Sequence, residues 1–404
     1  MEKVKVGVVG LRRGCTYLRN FLRMPNVQLI GVADRQEGLR SQYKDEVEAV
    51  GGKVVPEFHD LLELGPDAVM VATNGRVHAG HSIEALRAGC HVLCEIPTAY
   101  HEHELIELRD VAEASDRIYM VAENLCFMDF LRYWRKWLMD GRFGEVTLAH
   151  CEYVHYLPKT LIRPDGTHLT PSESEAMGCE DAVPTWRADQ PPIQYLTHDL
   201  GPLLELFDDR AVSVTCMSAP RCAPETPLRS DGQIGLFKTE QGRLIQCTVT
   251  LSTKVPGGHR FRIFGTEGGA EHFGYEGRCR VFFGGDTESR GWQWTRLGVA
   301  AQDDDVNAGH GGVDLKVAQA FVEAILAGRS SPIDVYRGID YTLPGIIANR
   351  SADQGGLPLA IPDMRPEPFK NTAFWEHFTV PEHAEPNDFV TAAPDYAMAE
   401  KVSS

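Results

Sequence analysis

The sequence predicts an α/β protein whose first part is a doubly wound parallel sheet. Three observations carry that prediction. From Val4 to Ala122 short apolar runs alternate with helical stretches at βα spacing. The first run breaks at a glycine-containing turn, Gly10 to Gly14, that opens into a helical segment. A later run ends at Val92-Leu93-Cys94 and empties into Glu95-Ile96-Pro97. Proline cannot continue a ladder, so that strand stops with Glu95 at its carboxyl end, where open α/β sheets collect ligands.

In order, Val4 to Val9 is the first strand. Strand, glycine turn and helix are the context of a dinucleotide-binding turn, which offers backbone N–H groups and a helix N-terminus to a pyrophosphate. Gly10, Arg12, Arg13 and Gly14 are the residues so placed. The glycine spacing is incomplete, with Arg12 at the second glycine position and Cys15 at the third. Alone, this turn is balanced between that role and a plain βα turn. Tyr17 to Leu22 has helical character, and Val27 to Ala33 is a second strand that ends on Asp34. An acid there is placed to take both ribose hydroxyls, which favours NAD; Arg35 would suit a 2′-phosphate, so NADP is disfavoured, not excluded. A helix (Glu37 to Val50), a strand (Val54-Val55), a helix (Phe58 to Leu64) and a strand (Asp67 to Thr73) follow. The last opens into Asn74 to His78, then a helix from His81 to Ala88 leads to the Glu95 strand. Glu102 to Ala114 reads as a helix, and Tyr119 to Ala122 as a strand finishing at Glu123-Asn124.

With 404 residues, the chain can hold two domains with sizeable cores. A formal charge of −17 argues against nucleic acid or an anionic membrane as partner. The 10 cysteines are scattered without a CxxC pair, as in a reducing compartment. The chain starts in a strand, with no signal-peptide core and no apolar run of spanning length. The expectation is a cytoplasmic protein.

Chemistry-bearing residues gather in the second half. Tyr153 and His155 sit two apart in a strand-like run (Leu148 to His155), so they share one face. Tyr195 and His198 lie three apart at the start of a helix read as Asp199 to Phe207. His310 stands among glycines in an Asp/Gly-rich loop that begins at Asp303-Asp304-Asp305. Taken singly, each histidine reads equally as a core residue, a helix cap or a surface group. No metal site is expected, because His78 and His81, or His101 and His103, find no completing ligand set and read as solvated. Between Pro158 and Trp186 runs a polar, turn-rich insertion, lid-like in composition, with Lys159 and Arg163. Val212 to Cys216, Ile234 to Lys238, Leu244 to Leu251 and Phe261 to Phe264 read as strands of an open sheet. Its free outer face predicts a homodimer or homotetramer. Phe321 to Leu326 belongs to a helix that packs back on the first domain, and the Pro-rich, acidic end after Pro366, Phe374-Trp375 aside, reads as a tail, either disordered or draped on a partner subunit.

These residues resemble the Gfo/Idh/MocA oxidoreductases. The likeness rests on the glycine turn, the Ala72-Thr73…His78 loop, the Ala88-Gly89-Cys90-His91-Val92-Leu93-Cys94-Glu95-Ile96-Pro97 run and Ala122-Glu123-Asn124. It implies an N-terminal Rossmann domain (1–125), a C-terminal α/β domain with a large open, mostly antiparallel sheet (126–365) and a C-terminal tail (366–404). In the dehydrogenases of that family the loop reads Glu-Lys-Pro and its lysine helps deprotonate a sugar hydroxyl; here that position is Ile96. Tyr153-x-His155, Tyr195-x-x-His198 and Gly309-His310-Gly311-Gly312 are instead similar to the family's NAD-dependent redox glycosidases, of the N-acetylgalactosaminidase and sulfoquinovosidase types.

That resemblance implies Tyr153, His155, Tyr195, His198 and His310 around a sugar. It places Glu95, Pro97, Thr73, Asn74, His78 and Asn124, with the first-turn residues and Asp34-Arg35, around tightly bound, recycled NAD. The implied reaction is transient oxidation at C3, removal of the C2 proton with loss of the C1 leaving group, water addition and re-reduction, without net redox change. His198 or Tyr195 would handle the C3 hydroxyl proton and Tyr153 the C2 proton, with His310 and His155 assisting the leaving group and water. Trp186 and Arg187 would contact substrate. For an anionic glycoside such as a sulfoquinovoside, Lys159, Arg163 and Arg187 are the candidate anion partners. A sugar or polyol dehydrogenase using histidine for lysine, and a non-catalytic NAD- or sugar-binding protein, remain the alternatives.

Overall fold

The structure is a computed structural model that describes residues 3–223, 230–274, 278–284, 291–297, 308–366, 373–378 and 380–382. Six strands build the N-terminal sheet: β1 (Val4–Val9), β2 (Val27–Ala33), β3 (Lys53–Val55), β4 (Ala68–Val71), β5 (His91–Cys94) and β6 (Tyr119–Val121). Their order is β3-β2-β1-β4-β5-β6, with every pairing parallel. The helices between them are α1 (Leu11–Leu22), α2 (Glu37–Glu48), α3 (Phe58–Leu62), α4 (His78–Arg87) and α5 (Glu102–Ala114). Central strands buried on both faces explain the unbroken apolar runs, as in Ala68–Val71, where all four residues are buried. The strand order reverses between β1 and β4, so the crevice for a ligand opens at their carboxyl ends.

Two helices begin earlier than the sequence predicts. α1 starts at Leu11 rather than near Tyr17, because Gly10 at φ +88° turns the chain within one residue. α4 starts at His78 rather than His81: the Asn74 side chain accepts from the Arg76 N–H and starts a 3₁₀ turn that runs into the helix. His78 is therefore buried, only 2% exposed, and not the solvated group expected.

The second domain opens with α6 (Asp129–Met139), which the sequence reading passed over. Its Phe130, Leu131, Trp134 and Trp137 are buried against the second sheet. That sheet has nine strands: β7 (Val146–Val154), β11 (Ala211–Ser218), β12 (Gly232–Thr239), β13 (Leu244–Thr250), β14 (Gly258–Gly265), β15 (Gly268–Phe273), β16 (Arg278–Phe283), β17 (Gln293–Arg296) and β18 (Leu359–Ala360). Their order is β17-β16-β15-β14-β7-β13-β12-β11-β18, antiparallel except for β7 beside β13. Alternation puts Ala149, Cys151 and Tyr153 of β7 inward with Ile245, Cys247 and Val249 of β13, leaving the other face more open.

The inner face carries α8 (Thr197–Phe207) and α10 (Val335–Asp353), while α9 (Val313–Ala327) packs on α1, as the helix at Phe321 was expected to. The insertion is more ordered than a lid loop. It forms a small sheet of β8 (Leu161–Ile162), β9 (His168–Leu169) and β10 (Val183–Pro184), with a short helix α7 (Pro171–Ala176) capped by Thr170 and Glu173.

The tail expectation needs correction in part. Ala373–His377 forms a helix, α11, whose Phe374 is 1% exposed against Phe127. Asp303-Asp304-Asp305 lie outside the described residues. No helix among the described residues is long and apolar enough to cross a membrane.

Candidate active site

The crevice at the switch point continues into a cavity of about 610 Å³ between the domains. The first domain lines it with Gly10, Arg12, Arg13, Thr73, Asn74, His78, Glu95 and Ile96, the second with Tyr153, Trp186, Arg187, Tyr195, His198 and His310.

On the first wall the glycine turn has redistributed its roles. A Cβ on Gly10 would stand 2.4 Å from the Ala72 carbonyl oxygen, so the backbone there lies against the β4 end with no room for a side chain. Gly14, not residue 15, gives the close helix–strand approach, since a Cβ there would lie 2.8 Å from Val8. We expect Gly10→Ala, which adds both a left-handed non-glycine residue and this clash, to cost about 1–3 kcal/mol or more. Thermal unfolding with and without NAD would show a lowered midpoint and a smaller ligand-induced shift. Asp34 ends β2, its Oδ2 accepting from Leu11 N at 2.8 Å and its Oδ1 from Gln36 N at 2.8 Å. Further lone pairs on both oxygens keep the carboxylate able to accept a ribose hydroxyl.

His78 ties the two loops together. Its Nδ1 lies 2.9 Å from Pro97 O and its Nε2 3.1 Å from Thr73 O, while burial pulls its pKa below the usual histidine value. Glu95 accepts from Ile96 N and lies 2.8 Å from Arg13 Nε. The same guanidinium reaches both oxygens of Asp314, at 2.8 and 3.0 Å. Asp314 is fully buried and also takes Asn124 Nδ2 and His310 Nδ1, each at 2.9 Å. Burial alone would raise this carboxyl; the bonds from His310 and Arg13 outweigh it and hold it well below the usual range. His310 is thereby fixed at φ +45° between positive-φ glycines, with 38% of its side chain open.

On the opposite wall, His198 stands in the first turn of α8. Its Nδ1 lies 2.8 Å from Oε1 of Glu123, which is fully buried at the end of β6. An ionised carboxylate only accepts, so Nδ1 carries the proton and Nε2 is the nitrogen left for the cavity. Burial opposes charge on His198, but Glu123 outweighs it, and the pKa lies above the usual value. Tyr153 stacks between neighbours: His155 at 4.1 Å, Tyr195 at 5.2 Å and His198 at 5.8 Å between ring centres. Directly across the strands is His259, whose Nδ1 lies 3.1 Å from Asp199 Oδ1. Burial drives His259 down to about 3, with His198 adding to the effect, and raises Asp199 well above the carboxylate range. Tyr195 accepts a 2.9 Å bond from Arg187 Nε; burial raises the phenol and Arg187 offsets part of that rise.

Several expected residues fall elsewhere. Lys159 is exposed and faces Glu173 at 3.9 Å, and Arg163 is spent on Asp165 and Asp181, so neither lines the cavity. Arg35 points into solvent beside Glu57, at 3.0 Å. Arg13 braces Glu95 and Asp314, and Asn124 serves Asp314, so both act on other side chains. Pro97 contributes its carbonyl to His78. His155 lies behind Tyr153 and is held down to about 4 by burial and the neighbouring His259. The sequence reading missed Glu123, Asp199 and His259. Glu123 adjoins the Asn124 that was chosen; both are buried, and they differ in partner, His198 for Glu123 and Asp314 for Asn124.

The cradle at Gly10, the acid at Asp34 and the bracing of Glu95 by Arg13 fit a dinucleotide laid across the β1/β4 ends. Comparison with known proteins agrees. Residues 4–123 match the model for the oxidoreductase family, NAD-binding Rossmann fold, and residues 131–271 the Gfo/Idh/MocA C-terminal domain. The chain belongs to the Gfo/Idh/MocA family. Residues 230–371 of this Gfo/Idh/MocA chain also match the glycosyl hydrolase 109 C-terminal domain. Glycosyl hydrolase family 109 protein 2 of Shewanella sp. (strain ANA-3) is 26% identical over 90% of this chain and 86% of its own length. Protein 1 of the same strain is 25% identical over 94% and 87%. Two solved structures share the fold. One is levoglucosan dehydrogenase in complex with NADH and L-sorbose, with a TM-score of 0.71, 18% identity and coverage of 90% of this chain and 100% of that one. The other is myo-inositol 2-dehydrogenase from Lactobacillus plantarum, with a TM-score of 0.67, 16% identity and coverage of 89% and 100%. NAD is the cofactor of this domain.

Proposed function

We propose that the chain is an NAD-dependent glycosidase that cleaves a small glycoside without net redox change. One observation carries the reading: His198 with its Glu123 partner, Tyr153, Tyr195 and His310 share a cavity with the Glu95-Ile96 loop, which offers no ammonium. The family 109 relatives support a glycosidase, and the dehydrogenase neighbours support only the fold.

Bound NAD supplies removal and return of a hydride at one ring carbon, which makes the adjacent C–H acidic. His198 Nε2 takes the hydroxyl proton at the first of these carbons. Tyr153, stacked beside it and acting as the phenolate, takes the adjacent C–H proton as the bond to the leaving group breaks, and returns it when water adds. Tyr195, clamped by Arg187, holds a ring hydroxyl. His310 donates to the departing oxygen and later accepts a proton from the entering water. His155 keeps Tyr153 in place. Each well-placed proton transfer contributes roughly 10²–10⁴-fold, and no pair of carboxylates across a scissile bond is then needed.

An aryl glycoside turned over in D₂O is the test. Released sugar should carry deuterium at C2 without accumulating NADH. Stoichiometric NADH with an intact glycosidic bond would instead make the protein a sugar dehydrogenase, with His198 as base.

A further inference from the structure

The insertion reaches over the first domain as well as along the sugar wall. Its outermost part is the turn between β8 and β9. There Gly166 N donates to Arg163 O at 2.9 Å and Thr167 N to the Asp165 side chain at 2.9 Å. Arg163 ties this turn back to Asp181, and Thr185 N donates to Thr160 O at 2.7 Å. The hairpin and β10 are thus braced as one piece.

That turn rests on the residues just after Asp34. Gly166 has φ +86°, and a Cβ there would stand 2.9 Å from Gln36 Oε1. A Cβ on Gly38 would lie 3.9 Å from Asp165 O. Gln36 is itself held to the expected ribose acid, its N–H bonded to Asp34 Oδ1 at 2.8 Å. The other end of the insertion also meets the first domain. Just past Trp186, the Asp189 carboxylate pairs with the guanidinium of Arg76, in the turn after β4. Tyr100 meets Trp186 edge to face, with 6.2 Å between ring centres. Between these ends Ile162, His168, Pro184 and Thr185 line the cavity with Gly10 and Arg12. A dinucleotide laid from Asp34 across the β1/β4 ends to Glu95 therefore passes beneath the insertion. The closure itself is slight: the Arg76 and Asp189 side chains are 48% and 60% exposed, and a pair so exposed contributes little. Such contacts can part while the domains stay folded.

We propose that residues 158–189 form a roof over the cofactor and not only a lid on the sugar. NAD enters and leaves only when the 163–167 turn lifts off Gln36 and Asp189 parts from Arg76. The inference rests on the cofactor site and is independent of the glycosidase reading. The two nevertheless suit each other. An enzyme that returns the hydride to the same ring has no need to release NAD, so a roof that opens rarely does not slow it. A dehydrogenase would have to open the same roof at every turnover.

Cofactor exchange on the full chain tests this without any sugar present. Mass spectrometry follows the replacement of bound NAD by isotope-labelled NAD. Gln36→Cys combined with Gly166→Cys puts thiols at the facing positions, and a disulfide or a short bis-maleimide closes them. Wild type given the same reagent controls for the native cysteines, and the linked peptide measures the closed fraction. The closed form should exchange NAD about tenfold or more slowly than the same protein left open. Equal rates in the closed and open forms overturn the proposal. Asp189→Asn should quicken exchange about two- to fivefold, and an unchanged rate overturns the latch at Arg76. If the double variant misfolds, loses NAD or does not link, hydrogen exchange on the wild type decides. Amides of residues 161–169 should then exchange about threefold or more slowly with NAD bound than after it is stripped, and equal rates overturn the proposal. Stoichiometric NADH in the D₂O experiment would sink the glycosidase and leave this roof standing.

Discussion

Replacing His198 by alanine is expected to lower kcat on an aryl glycoside by roughly 10²–10⁴-fold, the contribution of one positioned proton transfer. NAD binding should persist, because the side chain is held by Glu123 and not by the first-domain turn. The more telling variant is Glu123→Gln. Glu123 holds the His198 pKa above its usual value against burial. A base works deprotonated, so wild-type activity rises as pH climbs through this raised pKa. With glutamine the carboxylate's support is gone, burial dominates, and the acid limb of the kcat profile moves to lower pH while its plateau falls. A plateau loss with an unmoved limb would remove His198 from the role. Stability carries the opposite sign. A histidine whose folded pKa is raised contributes stability fully present below its unfolded value, and that contribution is lost as pH rises through the folded value. The variant's deficit should therefore shrink from acid toward alkaline pH.

Arg13→Met is expected to be the most destabilising single change near the site. It removes the cation shared by Glu95 and the fully buried Asp314. Breaking a buried pair by deleting one partner costs about 3–5 kcal/mol, and the lower end applies because 29% of the Arg13 side chain meets solvent. Urea unfolding at neutral pH would show the loss. Asp314 is held well below the carboxylate range, so its stabilisation is present above its unfolded pKa and is lost as pH falls through the folded one. The gap between wild type and Arg13→Met should accordingly narrow in strong acid. A gap independent of pH would mean that packing, not charge, supplies the effect. Pairing Arg13→Met with Asp314→Asn in a double-mutant cycle would isolate the coupling.

Why were some of these residues legible in the sequence and others not? Tyr153, Tyr195, His198 and His310 were named by the resemblance of their Tyr-x-His, Tyr-x-x-His and Gly-His-Gly-Gly motifs to the redox glycosidases, and strand and helix periodicity were compatible with that placement. All four line one cavity. Parallel β1 to β6 were legible directly: strands buried on both faces write themselves as apolar runs. What stayed hidden is what long-range contact decides. Arg13 reads as a phosphate ligand in the first turn of α1, until Asp314, 301 residues away, claims its guanidinium. Glu123 and His259 are ordinary polar residues at strand positions, and only tertiary burial turns them into partners of His198 and Asp199. Lys159 and Arg163 failed for the opposite reason. Their nearest acids, Glu173 and Asp181, lie within the insertion itself and satisfy them locally.

The short helix α11 has a consequence for the order in which the molecule can be made. Phe374 and Phe378 pack on Phe127, and Trp375 Nε1 donates to Glu205 O at 3.1 Å, at the far end of the helix that carries His198. The turn behind Glu123 is thus wedged by residues synthesised long after it. A nascent chain can close the parallel sheet early from local βα units, but this packing must wait for Phe374 to emerge. Such late, sequence-distant closure raises the contact order of the site above that of the sheet beneath it. Assembly is therefore staged: a nucleotide-shaped half forms first, and the proton-handling half gains the support of α11 only once that helix docks.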